Sequence, residues 1–126
     1  MKTIINTPKA PAPIGPYNQA VRTGNLIFTS GQIAIDPENG NLITGSIEDE
    51  TTMVMENLKA VLEAAGTTFE NVIKATIYIS DMDNFGIINS IYGSYFNDNT
   101  APARETVEVA RLPRSVNVEI SVIAAV

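Results

Sequence analysis

Cysteine, histidine and tryptophan are all missing from the 126 residues. Without cysteine there are no disulfides, thiolate metal sites or thiol nucleophiles, and without histidine the commonest general base and metal ligand are gone. Histidine-dependent triads and zincins are excluded. Basic residues are the minority charge, 8 Lys plus Arg against 14 Asp plus Glu, and the net charge of −6 opposes nonspecific binding to phosphate backbones. Nucleic acid is therefore a poor expected partner. No apolar run approaches the roughly 18 residues of a membrane span, and the opening segment, broken by Pro8, Pro11, Pro13 and Pro16, lacks the apolar stretch of a secretory leader. These absences lead to the expectation of a cytoplasmic chain with no membrane partner, no metal and no cofactor. What is left for chemistry is carboxylates, Arg, Lys, Tyr, hydroxyls, amides and backbone.

What is present suffices for a core. At 44% hydrophobic residues the chain reads as one domain over 1–126. The proline-rich start reads as an arm or ordered loop. Asn18 to Arg22 and Leu26 to Ile35 are β-rich on either side of Thr23-Gly24-Asn25, which predicts a hairpin. Ser46 with Asp49 caps a helix whose Val54, Leu58, Val61, Leu62 and Ala65 recur at helical spacing until Gly66. Val72 to Ser80 alternates as a strand, with Ile73, Ala75, Ile77 and Ile79 on one side and Lys74, Thr76 and Tyr78 on the other. A second helix starts near Asp81 or Asp83 and carries a stripe of Phe85, Ile88, Tyr92 and Tyr95, and its Gly86 and Gly93 predict a close approach to its backbone. Arg104 to Arg111 and Val116 to Val126 read as two more strands, joined by Leu112 to Ser115 as a hairpin turn.

The expected architecture is α+β, a mixed sheet of five or six strands with two helices on one face. The other face carries Thr76, Tyr78, Val21, Ile123 and Ala125, apolar enough to favour packing against another subunit over a half-solvated sheet.

Two side chains stand out as carriers of chemistry. Arg104 leaves a proline-stiffened segment, Thr100 to Ala103, and a guanidinium is the group best shaped to hold a small carboxylate; the competing reading is a surface Arg paired with Glu105 or Glu108. Glu119 lies opposite the regular Val/Ile row of the last strand, where burial would equip it to deprotonate a water and exposure would leave it a solvated charge. Tyr17 follows the rigid Ile14-Gly15-Pro16, Ser30-Gly31 interrupts an apolar strand as a bulge or the close backbone approach of a ligand would, and Asn89 sits on the second helix.

Ala12-Pro13-Ile14-Gly15-Pro16-Tyr17, Phe28 to Ile33, Asn57 to Ala60 with Ala64-Ala65-Gly66, and Pro102-Ala103-Arg104 running into Val107 to Pro113 together resemble the RidA (YjgF) family of reactive-intermediate deaminases. The resemblance spans almost the whole chain. It implies a chorismate-mutase-like α+β fold, a homotrimer with sites in clefts between subunits, and hydrolysis of 2-imino acids released by amino-acid dehydratases to 2-keto acids and ammonia. By the same resemblance Arg104 grips the substrate carboxylate, Glu119 orients or activates water, and Tyr17, Ser30, Gly31 and Asn89 shape the pocket. The family's usual Cys two positions after that arginine is Thr106 here, where backbone contacts survive and thiol chemistry does not. Imine hydrolysis suits the inventory, since a protonated imine needs a held carboxylate, a placed water and proton transfer. A noncatalytic trimer that binds small carboxylates is the alternative, and the ribonuclease label sometimes attached to the family sits badly with the charge and the missing histidine.

Overall fold

The computed structural model describes residues 1–126. Six strands form one mixed sheet: β1 (Thr3–Ile5), β2 (Ala20–Thr23), β3 (Leu26–Thr29), β4 (Val72–Ile79), β5 (Ala103–Glu108) and β6 (Val118–Ala125), in the order β1-β2-β3-β6-β4-β5. Two helices, α1 (Ile47–Ala64) and α2 (Phe85–Gly93), cover one face. The α+β expectation holds, with six strands and two helices. No helix is long and apolar enough to cross a membrane.

Local chemistry accounts for α1. The Ser46 hydroxyl accepts from the Asp49 amide at 3.1 Å, Glu48, Asp49 and Glu50 sit in the positively polarised first turn, and Gly66 ends the helix in the left-handed region at φ 83°. Its Val54, Leu58, Val61 and Leu62 are fully buried against Val118, Ile120, Val122 and Ala124 of β6, which alternate inward as a strand with one covered face must. Glu50 is also fully buried. Its carboxylate accepts from the Asn117 amide and side chain, both at 2.7 Å, and from the Val118 amide at 3.2 Å, pinning the helix to the start of β6. Glu50→Ala would strand these buried donors and is expected to cost about 2–3 kcal/mol, read as a lowered urea midpoint with an unchanged slope.

Several expectations are corrected. The chain ahead of the first prolines is a strand, Thr3–Ile5, that pairs antiparallel with β2. The strand from Leu26 stops at Thr29 instead of running to Ile35. Leu112 to Ser115 does not close a hairpin: β5 lies parallel to β4, and β4 separates it from β6. The β4–α2–β5 connection is thus a crossover, the connection parallel neighbours require. Ile73 is not in the buried row, because a register shift between Val72 and Lys74 turns Val72 inward and leaves Ile73 49% exposed. Gly86 and Gly93 have open space where a Cβ would stand, so no backbone approach explains them. The second helix ends at Gly93, and Tyr95 lies beyond it, its ring 5.3 Å from that of Phe69.

Candidate active site

The uncovered face of the sheet holds a cleft of about 370 Å³ where Tyr17, Ser30, Gly31 and Glu119 come together with Ile14 and Arg114. The loop that carries Tyr17 is tied down by a residue the sequence reading passed over. Gln19, 2% exposed, donates from Nε2 to the carbonyls of Thr7, Ala10 and Pro11 at 3.0, 3.1 and 2.8 Å, and its Oε1 accepts from the Thr7 amide. One amide thereby holds the proline-rich segment, whose prolines supply no donors of their own. The Tyr17 ring, 48% exposed, forms one wall of the cleft. Ser30 closes the loop from the other side, donating from Oγ to the Asn18 carbonyl at 2.6 Å.

Gly31 sits at a bulge. The step from Phe28 to Gln32 is one residue longer than the step from Ile123 to Ile120 opposite, so the residues between are pushed out of the ladder. A Cβ at Gly31 would overlap the Glu119 carboxylate, so a side chain here would push that carboxylate out of its place. Of the two readings the sequence offered here, a bulge or the approach of a ligand, the bulge is present, and the group lying against the glycine is the chain's own Glu119.

Glu119 pairs with Tyr78, which places it on the uncovered face. It is half-buried, and burial, with no cation offsetting it, pushes its carboxyl above the ordinary value of 4.5. That is the condition under which a carboxylate becomes a stronger base. Beside it, Arg114 and Ser115 both lie in the left-handed region, φ 55° and 56°, a strain of about 1 kcal/mol or more for each non-glycine residue. In the sequence Arg114 reads only as part of a turn, because two successive left-handed non-glycine residues have no sequence signature.

Arg104 is elsewhere. It pairs with Ala75, whose side chain is buried under the helices, so its guanidinium lies on the helix side of β5. There Nη1 donates to Asn89 Oδ1 at 2.7 Å, and the guanidinium carbon stands 5.1 Å from the Tyr92 ring centroid and 5.7 Å from that of Phe85. The competing carboxylates are engaged: Glu105 pairs with Lys74 at 2.9 Å, and Glu108 accepts from the Met82 amide at 2.8 Å. Arg104 has no anionic partner within the chain. Thr106, two residues on and in register with Ile77, shares the Arg104 side, and its hydroxyl is buried without a partner.

The candidate residues therefore form two groups on opposite faces of the sheet: Tyr17, Ser30, Gly31 and Glu119 in the cleft, and Arg104, Asn89 and Thr106 beside α2. Within one chain they do not meet. The uncovered face also exposes Ile4 on β1, Phe28 on β3 and Val107 on β5 at 37–45%, apolar side chains spread from one edge of the sheet to the other. No group of three His, Cys, Asp or Glu side chains is placed to hold a metal ion.

A family model described as Endoribonuclease L-PSP matches residues 7–126. A RutC family protein of Pyrococcus horikoshii is 51% identical over 124 residues, 98% of each chain. The mouse 2-iminobutanoate/2-iminopropanoate deaminase is 45% identical over 124 residues, 98% of this chain and 91% of its own. The crystal structure of the YjgF gene product of Escherichia coli superposes with a TM-score of 0.91 at 41% identity, covering 98% of both chains.

Proposed function

The chain belongs to the Endoribonuclease L-PSP (YjgF/RidA) family, and on that premise we propose that it is a 2-iminobutanoate/2-iminopropanoate deaminase, a cytoplasmic hydrolase of C=N bonds acting as one domain over 1–126. The observation that carries the reading is an arginine, Arg104, held by Asn89 and two aromatic rings and by no carboxylate. One of the five guanidinium N–H groups is spent on Asn89, and the rest suffice for a bidentate grip on a substrate carboxylate.

The cleft and Arg104 serve one substrate only if a second copy supplies one of them. The apolar uncovered face gives that copy a surface to pack on, and a homotrimer with three shared clefts satisfies the geometry. Light scattering is the check on assembly. A monomer at micromolar concentration ends the shared-cleft arrangement.

In the reaction, Glu119 takes a proton from a water as its oxygen adds to the carbon of the protonated imine, giving a carbinolamine. The proton then passes to the nitrogen, ammonia leaves, the hydroxyl becomes the keto oxygen, and the final proton goes to ammonia as ammonium. Glu119 ends ionised, as it began, and nothing is oxidised or reduced. The family description's RNA cleavage is a poor match for a chain of net charge −6 without histidine. The test is to generate 2-iminobutanoate with a threonine dehydratase and follow 2-oxobutanoate. Faster release with this protein is the expected result, and release at the uncatalysed rate overturns the proposal.

A further inference from the structure

Phe85, Asn89 and Tyr92 fall on one stripe of α2, because successive steps of four and three residues return to the same side of a helix. All three meet Arg104: Asn89 Oδ1 accepts from Nη1 at 2.7 Å, and the Tyr92 and Phe85 centroids lie 5.1 and 5.7 Å from the guanidinium carbon. Both rings are within the range over which an aromatic face attracts a cation.

Tyr92 is the more telling of the two. It is 5% exposed, and its hydroxyl is buried with no hydrogen-bond partner. The contacts this side chain makes within the chain are those of its ring. That ring packs on Phe96 at 4.7 Å between centroids and stands 5.1 Å from the Arg104 guanidinium carbon, which makes it a fixed wall. A long guanidinium side chain free in solvent samples many rotamers and must lose them on binding; one already held by a wall and a hydrogen bond loses fewer.

We propose that Tyr92, together with Phe85, is a positioning residue that presets the Arg104 guanidinium for a carboxylate ligand. This rests on the anchoring role given to Arg104 in the reading above. Tyr92 touches no reacting atom. A merely structural Tyr92, one wall of the core and nothing more, would affect stability and leave ligand affinity alone.

The test is calorimetric binding of 2-oxobutanoate to the wild type, Tyr92→Phe, Tyr92→Leu and Phe85→Leu, alongside turnover on 2-iminobutanoate. Tyr92→Phe keeps the wall and is expected to bind as the wild type does. Tyr92→Leu and Phe85→Leu should each weaken binding about 3- to 10-fold, the loss of one cation–π contact, and leave kcat within about twofold. Wild-type affinity in both leucine variants overturns the inference, as does Tyr92→Phe binding as weakly as Tyr92→Leu. Should Tyr92→Leu fail to fold, Phe85→Leu on the partly exposed side decides alone. Arg104→Ala separates the two claims. If it binds like the wild type, the anchoring role fails; if it loses binding while the leucine variants keep it, only the positioning role fails.

Discussion

Arg104→Ala is expected to lower kcat/KM for 2-iminobutanoate by a factor of about 10² to 10⁴. Two charge-assisted hydrogen bonds to a carboxylate are worth about 1.5–3 kcal/mol each, and each 1.4 kcal/mol is tenfold. The loss reports function and not folding, because Arg104 is exposed and its one hydrogen bond goes to Asn89. The melting temperature should move by no more than a few degrees. Arg104→Lys keeps the charge and loses the planar fork, so it should fall between wild type and alanine. The global field does not help the substrate: a net charge of −6 repels an anion, and salt screens that repulsion beyond about 8 Å, which leaves Arg104 to supply attraction at close range. Equal rates for wild type and Arg104→Ala would end the anchoring role.

The second large effect is at Glu119. Glu119→Gln keeps shape and burial and removes the base, so turnover should drop by about 10² to 10³ while 2-oxobutanoate binding persists. A noncatalytic carboxylate-binding trimer predicts no such split, because it has no turnover to lose. In the wild type the rate should fall on the acid side as Glu119 takes up a proton, with the midpoint above 4.5 because burial raises it. The glutamine variant should lack that limb. The stability sign is opposite to that of a salt-bridged carboxylate. A folded-state pKa above the unfolded one gives a stabilisation complete below the unfolded pKa and lost as pH rises through the folded one, so ionised Glu119 opposes folding at neutral pH. Glu119→Gln is therefore expected to melt no lower than the wild type near pH 7, in scans at matched concentration.

Much of the scaffold was legible because its signals are local. Ser46, the repeat from Val54 to Leu62 and Gly66 define α1 without reference to the rest of the chain. The alternation from Val118 to Ala124 was as clear, since one side is covered by helices and the other is not. Strand pairing is a different matter. β5 has charged or hydroxyl side chains at Arg104, Glu105, Thr106 and Glu108, so its alternation carries no contrast between inside and outside, and nothing local says whether its neighbour is β4 or β6. The same weakness hid the placement of Arg104 and Glu119 on opposite faces, which is set by their registers on β4, Arg104 beside Ala75 and Glu119 beside Tyr78. Gly31 was readable as a bulge because a glycine in an apolar strand needs a reason, but the carboxylate lying against it was not. Gln19 was not, because a glutamine holding three carbonyls looks in sequence like any other.

The strand bearing Arg104 lies at the margin of the sheet, with β4 on one side and nothing of its own chain on the other. Opening it breaks one ladder, whereas opening β4 breaks two and uncovers Ala75, Ile77 and Ile79. Amide protons of Ala103–Glu108 should consequently trade with solvent deuterium through small local fluctuations, while those of β4 and β6 wait for something near complete unfolding. The guanidinium thus rides on the part of the molecule that can breathe, and the carboxylate on the part that cannot.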